Sequence, residues 1–132
     1  MNSIFRKSSR YVRSTLAVVA LLSIATSSAW AEEQTVTVEV NYLINAVSES
    51  GCNFVRNDKE HTASEAVDHL HMKAERGKRY YDTADEFIDR IASKSSWTGK
   101  PYMIQCAGKP AVTAADWFTR VLVEYRASSE DA

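Results

Sequence analysis

No apolar run in this 132-residue chain reaches the about 20 residues that a membrane-crossing helix needs. The main run, Leu16–Ala25, follows the basic Arg6, Lys7, Arg10 and Arg13 and precedes Ala29-Trp30-Ala31. Basic, then apolar, then A-x-A is the order of a secretory leader, so cleavage is expected after Ala31 and no membrane span afterwards. No cysteine stands at that point, which argues against a lipoprotein. No Arg-Arg pair precedes the apolar run, which argues against twin-arginine export. Positive charge is scarce in what remains. The leader holds four basic residues and no acidic one, leaving 12 Lys and Arg against 17 Asp and Glu in residues 32–132. An acidic chain argues against nucleic acid or anionic lipid as the main partner.

Cysteine is nearly absent as well. Cys52 and Cys106 are the only two, and in an exported domain such a pair implies one disulfide. There is no internal repeat and no low-complexity segment. Residues 32–132 therefore read as a single domain with a modest core.

What is present points to α+β. Val36, Val40, Leu43, Ile44 and Val47 recur at helical spacing. They predict a helix over Thr37–Ser48 after a loose lead-in at Glu32–Thr35, although Val36–Val40 also alternates as a strand does. Cys52–Arg56 reads as a short strand and Asn57–Glu60 as a polar turn. Thr62 with Glu65 is a capping box opening a helix whose stripe is Ala63, Ala66, Val67, Leu70 and Ala74, with Gly77 at its end. Lys78–Tyr81 reads as a solvated connector with its tyrosines on the core. Thr83 and Glu86 form a second box, before the clearest stripe: Ala84, Phe87, Ile88, Ile91 and Ala92. Pro101–Cys106 is a second strand. Thr113 and Asp116 cap a last helix with Ala114, Trp117, Phe118, Val121, Leu122 and Tyr125 inward, ahead of a polar tail at Ser128–Ala132. The expected architecture is about four helices packed around a short two-stranded antiparallel sheet. Setting Cys52 opposite Cys106 puts Phe54 opposite Ile104 and Arg56 opposite Tyr102, all on one face.

Phe54-Val55-Arg56-Asn57, His61, Glu65-Ala66-Val67, His69-Leu70, Asp82-Thr83-Ala84, Phe87-Ile88-Asp89 and Thr98-Gly99-Lys100-Pro101-Tyr102 carry a resemblance. Over Cys52–Ile104 the chain resembles the YfeK-like family, small exported proteins of Gram-negative bacteria with unknown function. The resemblance implies a periplasmic address. It brings no catalytic residue, cofactor or substrate, and the disulfide rests on this sequence alone.

Catalytic and metal chemistry find little support. His61, His69 and His71 could suggest a metal cluster, but on a helix His69 and His71 point about 200° apart, and a zinc site needs three or four convergent ligands. His71 borders the apolar stripe and is expected half-buried. Cys52 could be a nucleophile only if reduced. Ser96 and Lys100 lack the directional relation of a catalytic pair. Thr98-Gly99-Lys100 lacks the upstream glycine of a phosphate loop, and Pro101 stands where Ser or Thr belongs. No metal and no cofactor is expected.

One constellation remains. The paired strands would bring Arg56, Asn57, His61, Ser95, Ser96, Trp97, Lys100 and Tyr102 to one end. Such cationic, polar and aromatic groups suit an anionic or glycan-like ligand, or an envelope protein. The expected function is a non-enzymatic binding or accessory protein of the cell envelope. The alternative is a small envelope hydrolase using His61 with Asp58 or Glu60.

Overall fold

The computed structural model describes residues 27–131. The basic and apolar parts of the expected leader lie outside the described residues. Helix α1 (Ser27–Glu49) is followed by strands β1 (Asn53–Arg56) and β2 (Lys59–His61) and helix α2 (Ala63–Gly77). A 3-10 turn, Lys78–Tyr80, leads to the short helix α3 (Ala84–Phe87), which continues as a π-helical turn, Ile88–Ala92. Strands β3 (Met103–Gln105) and β4 (Val112–Thr113) precede helix α4 (Ala114–Glu130). No helix among the described residues is long and apolar enough to cross a membrane.

The sheet has four antiparallel strands in the order β2-β1-β3-β4, rather than two. Its centre has the expected register, with Phe54 opposite Ile104, and the ladder ends at Val55 opposite Met103. Just beyond its other end Cys52 and Cys106 form the disulfide, with Cα atoms 4.3 Å apart. Strand β2 takes Lys59 and Glu60 from the segment read as a polar turn and adds His61. Asn57 and Asp58 alone make that turn, with φ of 50° and 63°, the left-handed pair that closes a tight hairpin and that Asn and Asp tolerate best. Strand β4 is only two residues long and runs directly into the Thr113 cap of α4.

Helix α1 begins ten residues before the predicted Thr37. The supposed lead-in is helical because Ala31, Glu32, Glu33 and Gln34 are good helix formers. Thr35 and Thr37 also donate back to the carbonyls of Ala31 and Glu33, at 2.9 and 3.0 Å, so their hydroxyls do not compete with the helix. Gly51, at φ 63°, turns the chain out of α1 through a conformation costly for other residues.

The capping box at Thr62 and Glu65 is complete. The second box is shifted by one residue. Thr83 accepts from the Glu86 amide, but the Glu86 carboxylate accepts from the Asp82 amide. Helix α4 continues through the segment read as a tail, as far as Glu130. Of the two connector tyrosines only Tyr81 packs on the core. Tyr80 is exposed and lies under the Arg79 guanidinium.

The core collects Leu43, Ile44 and Val47 from α1, Leu70 from α2, Phe87, Ile88 and Ile91 from the α3 segment, and Phe118 and Leu122 from α4. These meet Phe54 and Ile104 of the sheet, while Asn53 and Gln105 on its other face are exposed. One buried charge is included. Glu39 of α1, 7% exposed, accepts two hydrogen bonds from Arg126 of α4 at 2.7 and 2.9 Å, and Arg126 also reaches Asp85 at 2.9 Å. The Glu39 hydrogen bonds, then that to Asp85, raise the Arg126 pKa further above its already high ordinary value. Arg126→Ala would leave the Glu39 carboxylate buried and unpaired. The expected cost is about 2 kcal/mol, below the usual buried-pair range because Arg126 itself is partly exposed. Urea denaturation measures it, and a change under about 0.5 kcal/mol, the range of ordinary surface substitutions, would mean that water replaces the guanidinium freely.

Candidate functional site

Helix α2 places His69, Lys73 and Arg76 at i, i+4 and i+7, and therefore on one face. The same helix ends at Gly77 against Ile91, and the following 3-10 turn carries Tyr80. Arg56 and Asn57 arrive from the β1–β2 hairpin. Ser95, Ser96 and Trp97 come from the turn before β3, and Arg90 from the π-helical turn. Together with Met72 and Tyr102, these residues line an open groove of about 650 Å³. That volume lies within the range of small-molecule sites.

The lining is one-signed. Arg56, Lys73, Arg76 and Arg90 contribute to it, and no Asp or Glu does. Arg90 is already engaged, at 2.8 Å from Glu86 and donating to the Tyr80 carbonyl at 2.9 Å. Lys73 donates to the Lys94 carbonyl at 2.9 Å and lies over the Tyr102 ring, 5.1 Å from its centre. Arg56 and Arg76 pair with no carboxylate among the described residues.

The electrostatic consequence falls on the inner groups. Burial, and then the Arg56 charge, lower the Lys73 pKa to about 8. Burial, followed by Arg56, Lys73 and His61, lowers His69 to about 4, so its imidazole is neutral at pH 7. Its Nε2 is buried and makes no hydrogen bond. Burial raises the Tyr102 hydroxyl, partly offset by Arg56. The groove thus holds Arg56 and Lys73 against mutual repulsion, while Glu86 offsets Arg90 alone.

The turn at the rim is fixed by its own backbone. The Ser95 hydroxyl accepts from the amides of Trp97 and Thr98 at 3.4 and 3.3 Å, and the Gly99 amide donates to the Ser95 carbonyl at 2.9 Å. The Thr98 hydroxyl ties the turn to the Asn57 side chain at 2.9 Å. Trp97 projects from it 97% exposed.

Of the eight residues singled out in the sequence, Arg56, Asn57, Ser95, Ser96, Trp97 and Tyr102 line this groove. Lys100 and His61 do not. The Lys100 ammonium pairs with Asp58 in the hairpin turn. His61 sits beside a small apolar cavity of about 30 Å³, its Nδ1 3.9 Å from Glu65. Neither carboxylate suggested for His61 serves it, since Asp58 is held by Lys100 and Glu60 accepts from Asn53 at 2.6 Å. Cys52 is consumed by the disulfide. His71, expected half-buried, is exposed, and His69 is the inward histidine. Among the described residues no three His, Cys, Asp or Glu side chains gather as a metal site. Lys73, Arg76, Arg90 and Tyr80 were missed. The spacing of His69, Lys73, Arg76 and Tyr80 was a usable signal, a basic-aromatic stripe on the helix face beside the apolar one.

A family profile described as "Family of unknown function (DUF5329)" matches residues 34–126. The chain is 44% identical over 88 residues to the "Uncharacterized protein YfeK" of Salmonella typhimurium, covering 65% of this chain and 72% of that protein. No solved structure matches it.

Proposed function

We propose a binding role, without catalysis, for a chain that belongs to the DUF5329 family of unknown function: its groove takes up a small anionic ligand in the cell envelope. The single observation that carries this is the sign of the lining, with four cationic side chains and no carboxylate in a chain of net charge −1. An anion relieves the repulsion between Arg56 and Lys73, and it meets the Arg56 and Arg76 guanidinium groups with donors unspent. A periplasmic address is part of this reading. The leader-like order of basic, apolar and A-x-A residues supports it, as does the Cys52–Cys106 bond.

The test is calorimetric titration of the purified protein with pyrophosphate. Arg56→Ala/Arg76→Ala should keep the thermal midpoint and lose about tenfold or more in affinity, since each guanidinium supplies charge-assisted hydrogen bonds. The sign of the pH dependence follows from Lys73. Its ammonium is lost above about 8 in the free protein, so binding of sulfate, which does not titrate in this range, weakens as pH rises from 7 to 9 and is accompanied by proton uptake in that interval. Unchanged affinity in the double variant, or no binding of pyrophosphate by the native protein, would overturn the reading.

A further inference from the structure

The groove is not only cationic. Exposed large apolar side chains are few in this domain, and three of them, Met72, Tyr80 and Trp97, line the groove beside the cations. A bare anion such as phosphate has no use for them. Trp97 in particular offers its ring to solvent at 97% exposure, yet it stands on a turn whose backbone is held by Ser95 and Thr98. The turn fixes where the indole stands, and tryptophan has only two side-chain torsions to order when a flat apolar face stacks on it. The groove also supplies neutral hydrogen-bonding groups. The Ser96 hydroxyl is exposed, and Asn57 uses only its carbonyl oxygen internally, leaving its amide NH2 to donate.

Charge, a flat apolar platform and neutral donors in one groove correspond to the parts of one ligand class. From this juxtaposition we infer that the ligand is an acidic saccharide, with its carboxylate or phosphate on Arg56 and Arg76 and a sugar ring stacked on Trp97. The inference rests on the anion-binding reading and narrows it. A lipid surface is the less suitable occupant. Its headgroups would meet the cations, but Met72 and Tyr80 line a concavity and do not extend the Trp97 tip into a face that a bilayer could cover.

The test compares native protein and Trp97→Ala with four probes: pyrophosphate, trigalacturonate, maltotriose and vesicles of mixed phosphatidylglycerol and phosphatidylcholine. Native protein should bind trigalacturonate and pyrophosphate but not maltotriose. Trp97→Ala should lose roughly fivefold to tenfold for trigalacturonate, the range of a good aromatic contact, and nothing for pyrophosphate. Trp97→Phe should recover part of the loss. Equal loss for both anions would make Trp97 a support of the groove and overturn the inference. So would no loss for either, or native protein that ignores trigalacturonate while binding vesicles through Trp97. Pyrophosphate binding without trigalacturonate binding sinks the saccharide and leaves the anion reading standing. Failure of pyrophosphate itself removes the anion reading.

Discussion

Cys52→Ala/Cys106→Ala should lower the stability of the domain by up to about 4 kcal/mol, the chain-entropy value for a loop of this length. The bond joins residues 54 apart, so its loss frees roughly half of the ordered chain in the unfolded state. The native sheet has little to replace it. Strands β1 and β3 share three residue pairs, and β4 adds only two residues. A domain of this size typically holds about 5–15 kcal/mol in total, so at the low end of that range the loss leaves only about 1 kcal/mol. Denaturation in urea, with and without reductant, gives the number, and a difference below about 1 kcal/mol would show that the unfolded reduced chain already keeps the two cysteines near each other. The groove should report the same event. Arg56 and Tyr102 are placed by strands that the bond holds in register, so anion affinity should fall while each groove side chain is still present.

That register was the most legible part of the fold, because only one pairing of two strands brings the only two cysteines together. The stripes and caps of α2, α3 and α4 were legible for a different reason. Each is a local pattern repeated within one element, such as Thr62 with Glu65 or Phe87, Ile88 and Ile91. What failed had no local pattern. Lys59-Glu60-His61 holds no β-branched or large apolar residue, and it is a strand only because the Asn57-Asp58 turn folds it onto β1. Glu39 and Arg126 lie 87 residues apart, so nothing in either neighbourhood marks the pair. The groove was half legible. Arg56, Trp97 and Tyr102 were reached through the strand register. Lys73 and Arg76 belong to it through the packing of α2 across the sheet end, which register alone does not fix. His71 was expected half-buried and is exposed, while His69 turns inward, since a boundary position on a helix can tilt either way and neighbouring elements decide.

The second large effect concerns the place where α2 meets the π-helical turn. Ile91 is 6% exposed and packs against the last residue of α2, Gly77. Ile91→Ala should cost about 2–5 kcal/mol, through lost burial and the cavity left behind. Asp89→Ala on the same turn should cost little, because Asp89 makes only a surface pair with Lys94 at 3.6 Å. Gly77 makes the prediction sharper. A Cβ built there would lie 2.5 Å from Ile91 Cδ1, closer than any real contact. Its φ is −96°, so glycine is required by space and not by backbone handedness. In the native background Gly77→Ala should therefore destabilise by about 1–3 kcal/mol through overpacking. In the Ile91→Ala background the obstructing atoms are gone, and the new methyl fills part of the cavity while alanine favours the helix by about 1 kcal/mol over glycine. There the same substitution should stabilise. A double-mutant cycle in urea reads the coupling directly, and a Gly77→Ala effect of the same sign in both backgrounds would mean that α2 shifts to make room. Such a shift would move Lys73 and Arg76 with the helix, so the single variant Gly77→Ala should then also change anion affinity.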